Sequence, residues 1–316
     1  MQTRLDFKGE GSAFFGISIV NALLTIVTLG LYYPWAKAKS RRYIYSQTYL
    51  QGSPFSFTGT GREMFKGFII AIGIYAGLIG LNKVLSNYGG TGGVILGAIV
   101  LLLGLGLLFP FAIHSSMRYR LSRTEWRGIR MGYRGTLGGL YDVMIKGFLL
   151  TIVTLGIYAS WFVVSLNKYL YKNIHFGSST FAFHGEGARY FGTRLVGNFL
   201  SVITLGIYVP WYIRSLIRFQ VENTTFEHNG ESYRLHTDIK VSQVFIGFIL
   251  FPIFGAITFG IALPWAIMYM QRCLFNSIYT AEELNLETLL QTEAPYKSAT
   301  GEDLADIIDI PMDFGL

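Results

Sequence analysis

The 316-residue sequence contains a single cysteine, Cys273. An intramolecular disulfide is therefore excluded, and without a CxxC or Cys/His cluster neither structural zinc nor dithiol redox chemistry is expected. Charge is also scarce, at 14% Asp, Glu, Lys and Arg against roughly 25% in an ordinary soluble domain. HExxH, GxSxG and Walker-type phosphate loops are absent, removing the usual signatures of zinc proteases, serine hydrolases and P-loop nucleotidases. What fills the chain is apolar: 51% hydrophobic residues, with 25 Phe, 20 Tyr and 37 Gly, and a mean hydropathy of +0.41. Lipid-facing surface must be apolar and close helix contacts use small residues, so this composition points to a polytopic membrane protein rather than a soluble enzyme.

The formal charge of +7 hides a division. Residues 1–280 carry 25 basic and 10 acidic side chains, whereas residues 281–316 carry 1 and 9. The sequence thus divides into a basic, repeat-containing membrane domain, 1–280, and an acidic C-terminal tail, 281–316. A basic membrane core suits contact with anionic lipid; nucleic acid is not an expected partner. Apolar windows near 13–33, 65–85, 92–113, 143–165, 192–213 and 243–265 have the length a helix needs to cross about 30 Å of hydrocarbon. They predict about six transmembrane helices, with 65–85 and 92–113 forming a hairpin across the Gly-rich turn before Gly93. Alternating sides then hold 17 and 9 Lys and Arg, which puts the segments after the first, third and fifth spans in the cytoplasm and both termini outside.

Self-similarity is the strongest signal. Thr28–Trp35 (TLGLYYPW), Thr154–Trp161 (TLGIYASW) and Thr204–Trp211 (TLGIYVPW) are near-identical, with weaker echoes at Leu107–Phe111 and Phe259–Trp265. The last residues of these segments, 35, 111, 161, 211 and 265, are separated by 76, 50, 50 and 54 positions, a degenerate period of about 50 with one 26-residue insertion. Seven positions after each stands a basic residue: Arg42, Arg118, Lys168, Arg218 and Arg272. Upstream, Phe7–Gly11, Phe57–Gly61 and Phe183–Gly187 share a Phe-x-Gly-x-Gly pattern that reads as short β-strands between units, entering turns. Within each unit a glycine such as Gly30, Gly156 or Gly206 ends one helix and a proline such as Pro34 or Pro210 starts another.

The TLGIYxPW segments, the basic helix after them and the FxGxG strands resemble the YjgN-like family of bacterial inner-membrane proteins, a family defined by a domain of unknown function. The resemblance covers about residues 5–280 and implies a multi-pass bacterial inner-membrane location. It brings no reaction and no catalytic residues. The sequence departs from the pattern at Phe111, where Trp is expected, and at Ala159-Ser160, where Pro is missing.

Arg42, Arg118, Lys168, Arg218 and Arg272 are the candidate ladder for anions or phospholipid headgroups, although the same residues could simply snorkel to the interface. Trp35, Trp161, Trp211 and Trp265 read as interface anchors. The Gly-x-Gly pairs complete no GxGxxG, and the five histidines show no metal spacing; His184 and Glu186 are adjacent without establishing an acid–base pair, and Asp142 can pair with Lys146 one turn on. No cofactor, metal or catalytic residue is expected. The reading favours a transporter or channel-like protein for an anionic solute or lipid, with a structural scaffold that organises lipid or recruits a partner as the alternative. Membrane lipids, the anionic ones in particular, are the expected partners, and the sequence specifies no oligomeric state. The tail segment 303–310 alternates charged and apolar residues and could either dock on the basic core or stay solvated.

Overall fold

The computed structural model describes residues 2–247 and 251–292. Strand β1 (Thr3–Phe7) leads through helices α1 (Gly11–Val27) and α2 (Tyr33–Ser46) to β2 (Thr48–Leu50). A tight turn gives β3 (Ser53–Phe57), the long helices α3 (Gly61–Tyr88) and α4 (Gly90–Ser122), and β4 (Thr124–Trp126). The chain continues as β5 (Ile129–Tyr133), α5 (Leu137–Val153), α6 (Ala159–Lys172) and β6 (Ile174–Phe176), then β7 (Ser179–Phe183), α7 (Gly187–Ile203), α8 (Val209–Glu222) and β8 (Thr224–His228). It ends with β9 (Glu231–Thr237), α9 (Val241–Phe245), α10 (Phe251–Ile257), α11 (Leu263–Ser277) and β10 (Ile278–Thr280).

The ten strands close into one antiparallel barrel in which β1 pairs with β2 on one side and with β10 on the other. Two-residue turns at Gln51-Gly52, Arg127-Gly128 and Asn229-Gly230, with both residues at positive φ, have the twist that matches paired strands. These turns form one end of the barrel. The helical pairs all leave from the other end, because Phe7 lies opposite Thr48, Phe57 opposite Thr124 and Phe183 opposite Thr224. Trp126, Tyr133, Phe176 and Phe226 are buried in the main core.

This overturns the expectation of about six transmembrane helices in degenerate ~50-residue repeats with short strands between units. Among the described residues only α3 and α4 are long and apolar enough to cross a membrane. The strands are not separate small sheets either; they are the closed wall of the protein. Hydropathy windows misread the chain because four of them run over a reversal. At the first, Gly30 N–H donates to Thr25 O at 2.7 Å and Leu29 N–H to Ile26 O at 3.0 Å, a paired-bond helix ending that needs a left-handed residue; Leu29 (φ 51°) and Gly30 (φ 91°) provide it. Thr28 Oγ1 then accepts from Tyr32 N–H at 2.9 Å and so starts the returning helix. The same bond joins Thr154 to Tyr158, Thr204 to Tyr208 and Thr258 to Ala262. The Thr-Leu-Gly motif therefore turns the chain back, and neighbouring helical pairs do not alternate between opposite sides.

Each returning helix packs on the outgoing helix of the next pair. α2 lies against α3, α6 against α7, and α11 against α1, so the ring of helices closes as the barrel does. Glycine is required at these contacts. A Cβ on Gly61 would stand 2.5 Å from the Trp35 ring and 2.8 Å from its Cα, and Gly187 and Gly11 face Trp161 and Trp265 in the same way. Gly61→Val is expected to lower stability by about 1–3 kcal/mol through overpacking, read as a fall in the midpoint of thermal unfolding of the purified protein. The glycines of the long hairpin act differently: Gly93, Gly97 and Gly104 lie against Leu85, Asn82 and Leu78 of α3, while Gly73 and Gly77 face open space.

Candidate functional site

A cavity of about 290 Å³ lies where the barrel meets the helices. Its wall is the inner face of the strands, including Leu5, Leu50, Phe55, Ile174, Phe176 and Phe226. Its polar groups come from the returning helices, each entering with the last turns before its strand: Arg41 from α2, Arg120 from α4, Asn167 from α6, Gln220 from α8 and Gln271 from α11. Threonines hold three of those helix ends, since Thr48, Thr124 and Thr224 donate to Ile44, Arg120 and Gln220 carbonyls at 2.8–3.0 Å. On one side Asn167 Nδ2 donates to Gln220 Oε1 and Gln220 Nε2 to the Tyr171 hydroxyl, both at 2.9 Å. Arg120 is 7% exposed, and the wall formed by the described residues is largely apolar. The site thus combines two guanidinium groups, three amides and several hydroxyls with a largely apolar chamber. Beside it on β5, burial pushes the Tyr133 phenol above its ordinary value, which keeps it neutral.

The barrel mouth at the turn end is covered by residues 281–292. Leu284, Leu286 and Leu289 point into the core, each under 9% exposed. Leu284 N–H donates to Thr3 Oγ1 at 2.9 Å, and Gln51 Nε2 donates to the Leu284 carbonyl. Across the mouth Asn229 Nδ2 donates to Thr288 Oγ1 at 2.8 Å, His228 Nε2 stands 2.9 Å from the same hydroxyl, and Thr292 Oγ1 donates to Gly177 O at 2.6 Å. This first part of the acidic tail is a strap over the barrel; segment 303–310 lies outside the described residues.

The five residues of the basic ladder do not enter the cavity. Arg42, Arg118, Lys168, Arg218 and Arg272 are all exposed, on the outer side of their helices. Arg42 Nη2 donates to Gly59 O at 3.3 Å and Arg272 Nη2 to Gly9 O at 2.8 Å; these tie a returning helix to the glycine turn of the next unit. Arg218 pairs with Glu222 at 2.6 Å. The tryptophans also serve the ring: Trp35, Trp161 and Trp265 cover the glycines described above, and Trp211 is 45% exposed. His184 contacts Thr225 at 3.0 Å, Asp142 meets Lys146 at 2.8 Å, and among the described residues no three metal-binding side chains come together. Sequence reasoning missed Arg41, Arg120, Asn167, Gln220 and Gln271. Their only signal was position, one residue before or two after the ladder, on the side of the helix that turns inward.

The description "Bacterial protein of unknown function (DUF898)" matches residues 2–184 and 178–234. The chain is 32% identical over 130 residues to the "Inner membrane protein YjgN" of Salmonella typhimurium (strain LT2), an alignment covering 41% of this chain and 31% of that protein. It is 33% identical over 137 residues to the protein of the same name from Escherichia coli O157:H7, and 32% identical over 137 residues to that of strain K12, in each case covering 43% of this chain and 32% of the relative. The match thus spans about a third of the length of these curated relatives. No solved structure matches the chain. Relatives named for the inner membrane, together with the two long apolar helices, identify an inner-membrane protein. With the family description extending over most of its length, the chain belongs to the DUF898 family of bacterial proteins, to which the YjgN-like inner-membrane proteins are related.

Proposed function

We propose that this multi-pass inner-membrane protein is a non-enzymatic carrier for a single-chain anionic amphiphile, such as a fatty acid or a lysophospholipid. The observation that carries this reading is the cavity itself: the guanidinium groups of Arg41 and Arg120 and three side-chain amides on the wall of a largely apolar chamber. A carboxylate or phosphate headgroup forms charge-assisted bonds with guanidinium groups, and the Leu, Ile and Phe wall takes the chain. The strap across the mouth supports a closed carrier over an open channel. The charge that matters is inside the cavity, and the exterior ladder serves assembly.

The test uses the full chain in nanodiscs and a fluorescent C16 fatty acid. Arg41→Gln with Arg120→Gln is expected to weaken binding at least tenfold, since a hydrogen bond to a charged group contributes about 1.5–3 kcal/mol. Lys168→Gln with Arg218→Gln should leave affinity within about threefold, because exposed charges contribute little. Equal binding by the native protein and the Arg41/Arg120 variant would sink the assignment. No binding by the native protein to this fatty acid, nor to a fluorescent lysophospholipid tested in the same way, would favour the scaffold reading.

A further inference from the structure

The helical pairs begin at the same rim but differ in reach. α1, α5 and α7 have 17 residues each, whereas α3 has 28. At 1.5 Å per residue the shorter helices extend about 26 Å and α3 about 42 Å, so the α3/α4 hairpin projects roughly 16 Å past its neighbours. The turns at their ends have opposite chemistry. Leu29, Leu155, Leu205 and Phe259 are 93–96% exposed and are flanked by exposed Val27, Val153, Val202 and Ile257. The long hairpin instead ends in Ser86-Asn87-Tyr88-Gly89-Gly90-Thr91, just after Lys83.

Four large apolar residues, held almost fully exposed at the tips of turns in a left-handed backbone that favours glycine, form a repeated apolar edge suited to lipid rather than to water. Charge limits how deep those tips can go. Lys37, Lys146, Arg194 and Arg214 stand eight to eleven residues from the nearest tip, about 12–17 Å along a helix, which is close to half of the ~30 Å hydrocarbon thickness. The long hairpin meets no such limit: the sixteen residues between Lys66 and Lys83 are uncharged, as is everything from Val84 to Met117. A polar, Gly-rich turn is what such a hairpin needs where it emerges into water.

We propose that the protein seats in the bilayer from one side, with the α3/α4 hairpin crossing it and the four shorter hairpins ending among the acyl chains of the near leaflet at Leu29, Leu155, Leu205 and Phe259. The barrel and its strap stay in water on the near side. Among the described residues Lys83 is then the lone Lys or Arg at the far end, so the bias of basic residues places the barrel in the cytoplasm. The membrane-embedded surface is a ring in one leaflet with a single hairpin continuing into the other.

Single cysteines in a Cys273→Ser background, probed with a membrane-impermeant maleimide, test this arrangement. Thr91→Cys is expected to react in intact spheroplasts, Ser232→Cys at least tenfold faster in inside-out vesicles, and Leu29→Cys and Leu205→Cys in neither until detergent is added. Reaction of a tip cysteine from the spheroplast exterior would mean that the short hairpins cross and would overturn the proposal. Its reaction in intact inside-out vesicles would overturn insertion, and exchanged labelling of Thr91→Cys and Ser232→Cys would overturn the orientation. As a second measurement, the emission of a bimane label on Leu205→Cys in the Cys273→Ser background should be quenched more strongly by nitroxides near the end of the acyl chain than by headgroup nitroxides; the opposite order would also overturn it.

Discussion

A chain stopped after Thr280 is expected to exchange a bound fatty acid with water at least tenfold faster than the full-length protein. The strap is the barrier: Leu284, Leu286 and Leu289 fill the turn end of the barrel, and hydrogen bonds to Thr3 and Gly177 and from Gln51 and Asn229 fasten it across the mouth. Burial of three leucines contributes about 5–9 kcal/mol as an upper estimate, so truncation also lowers stability. A milder variant separates the two effects. Thr288→Ala with Gln51→Ala removes fastening bonds and keeps the leucines; stopped-flow displacement should show faster release with only a small change in unfolding midpoint. Unchanged release from both variants would place the entrance between helices rather than at the barrel mouth.

Trp126→Ala is expected to cost about 3–5 kcal/mol, the range for deleting a large buried aromatic, a large part of the 5–15 kcal/mol that holds a typical domain together. Trp126 is 1% exposed and its ring meets Phe176 edge-on. Its Nε1–H is shared between the Leu50 and Ser53 carbonyls, 3.2 and 3.1 Å away. The side chain therefore fills the lumen and also pins β4 to the β2–β3 turn. Trp126→Phe keeps most of the volume but leaves those carbonyls short of a donor, so it should lose an intermediate amount, about 1–2 kcal/mol. Denaturant titration in a fixed detergent would check both values; a loss under 1 kcal/mol for the Ala variant would show that the barrel core collapses around the gap.

The motifs most visible in the sequence turned out to build the ring. Thr28-Leu29-Gly30 was legible as the end of a helix, because glycine after an apolar run is a strong local signal. That the chain reverses there was not legible: hydropathy counts Leu29 and Leu31 toward a span whatever direction the backbone takes. The five basic positions were legible as a period, yet a ladder one or two residues away from the inward-facing positions lies on a different face of its helix. The inward positions vary in kind, from Arg41 to Asn167 to Gln271, and so leave no repeated letter to find. Strand closure was hidden for a different reason. Three-residue strands such as Thr48–Leu50 and Thr124–Trp126 are too short to show alternation, and the bond between β1 and β10 joins residues at opposite ends of the described chain.

That last bond sets the order of events during synthesis. Thr3 pairs with Thr280, Arg272 reaches Gly9, and α11 packs on α1, so neither the wall nor the ring can close until α11 and β10 have left the ribosome. At about 5–20 residues per second, β1 waits roughly 14–56 s for its second neighbour. Throughout that interval the nascent chain carries an unpaired strand edge, open to pairing with another chain.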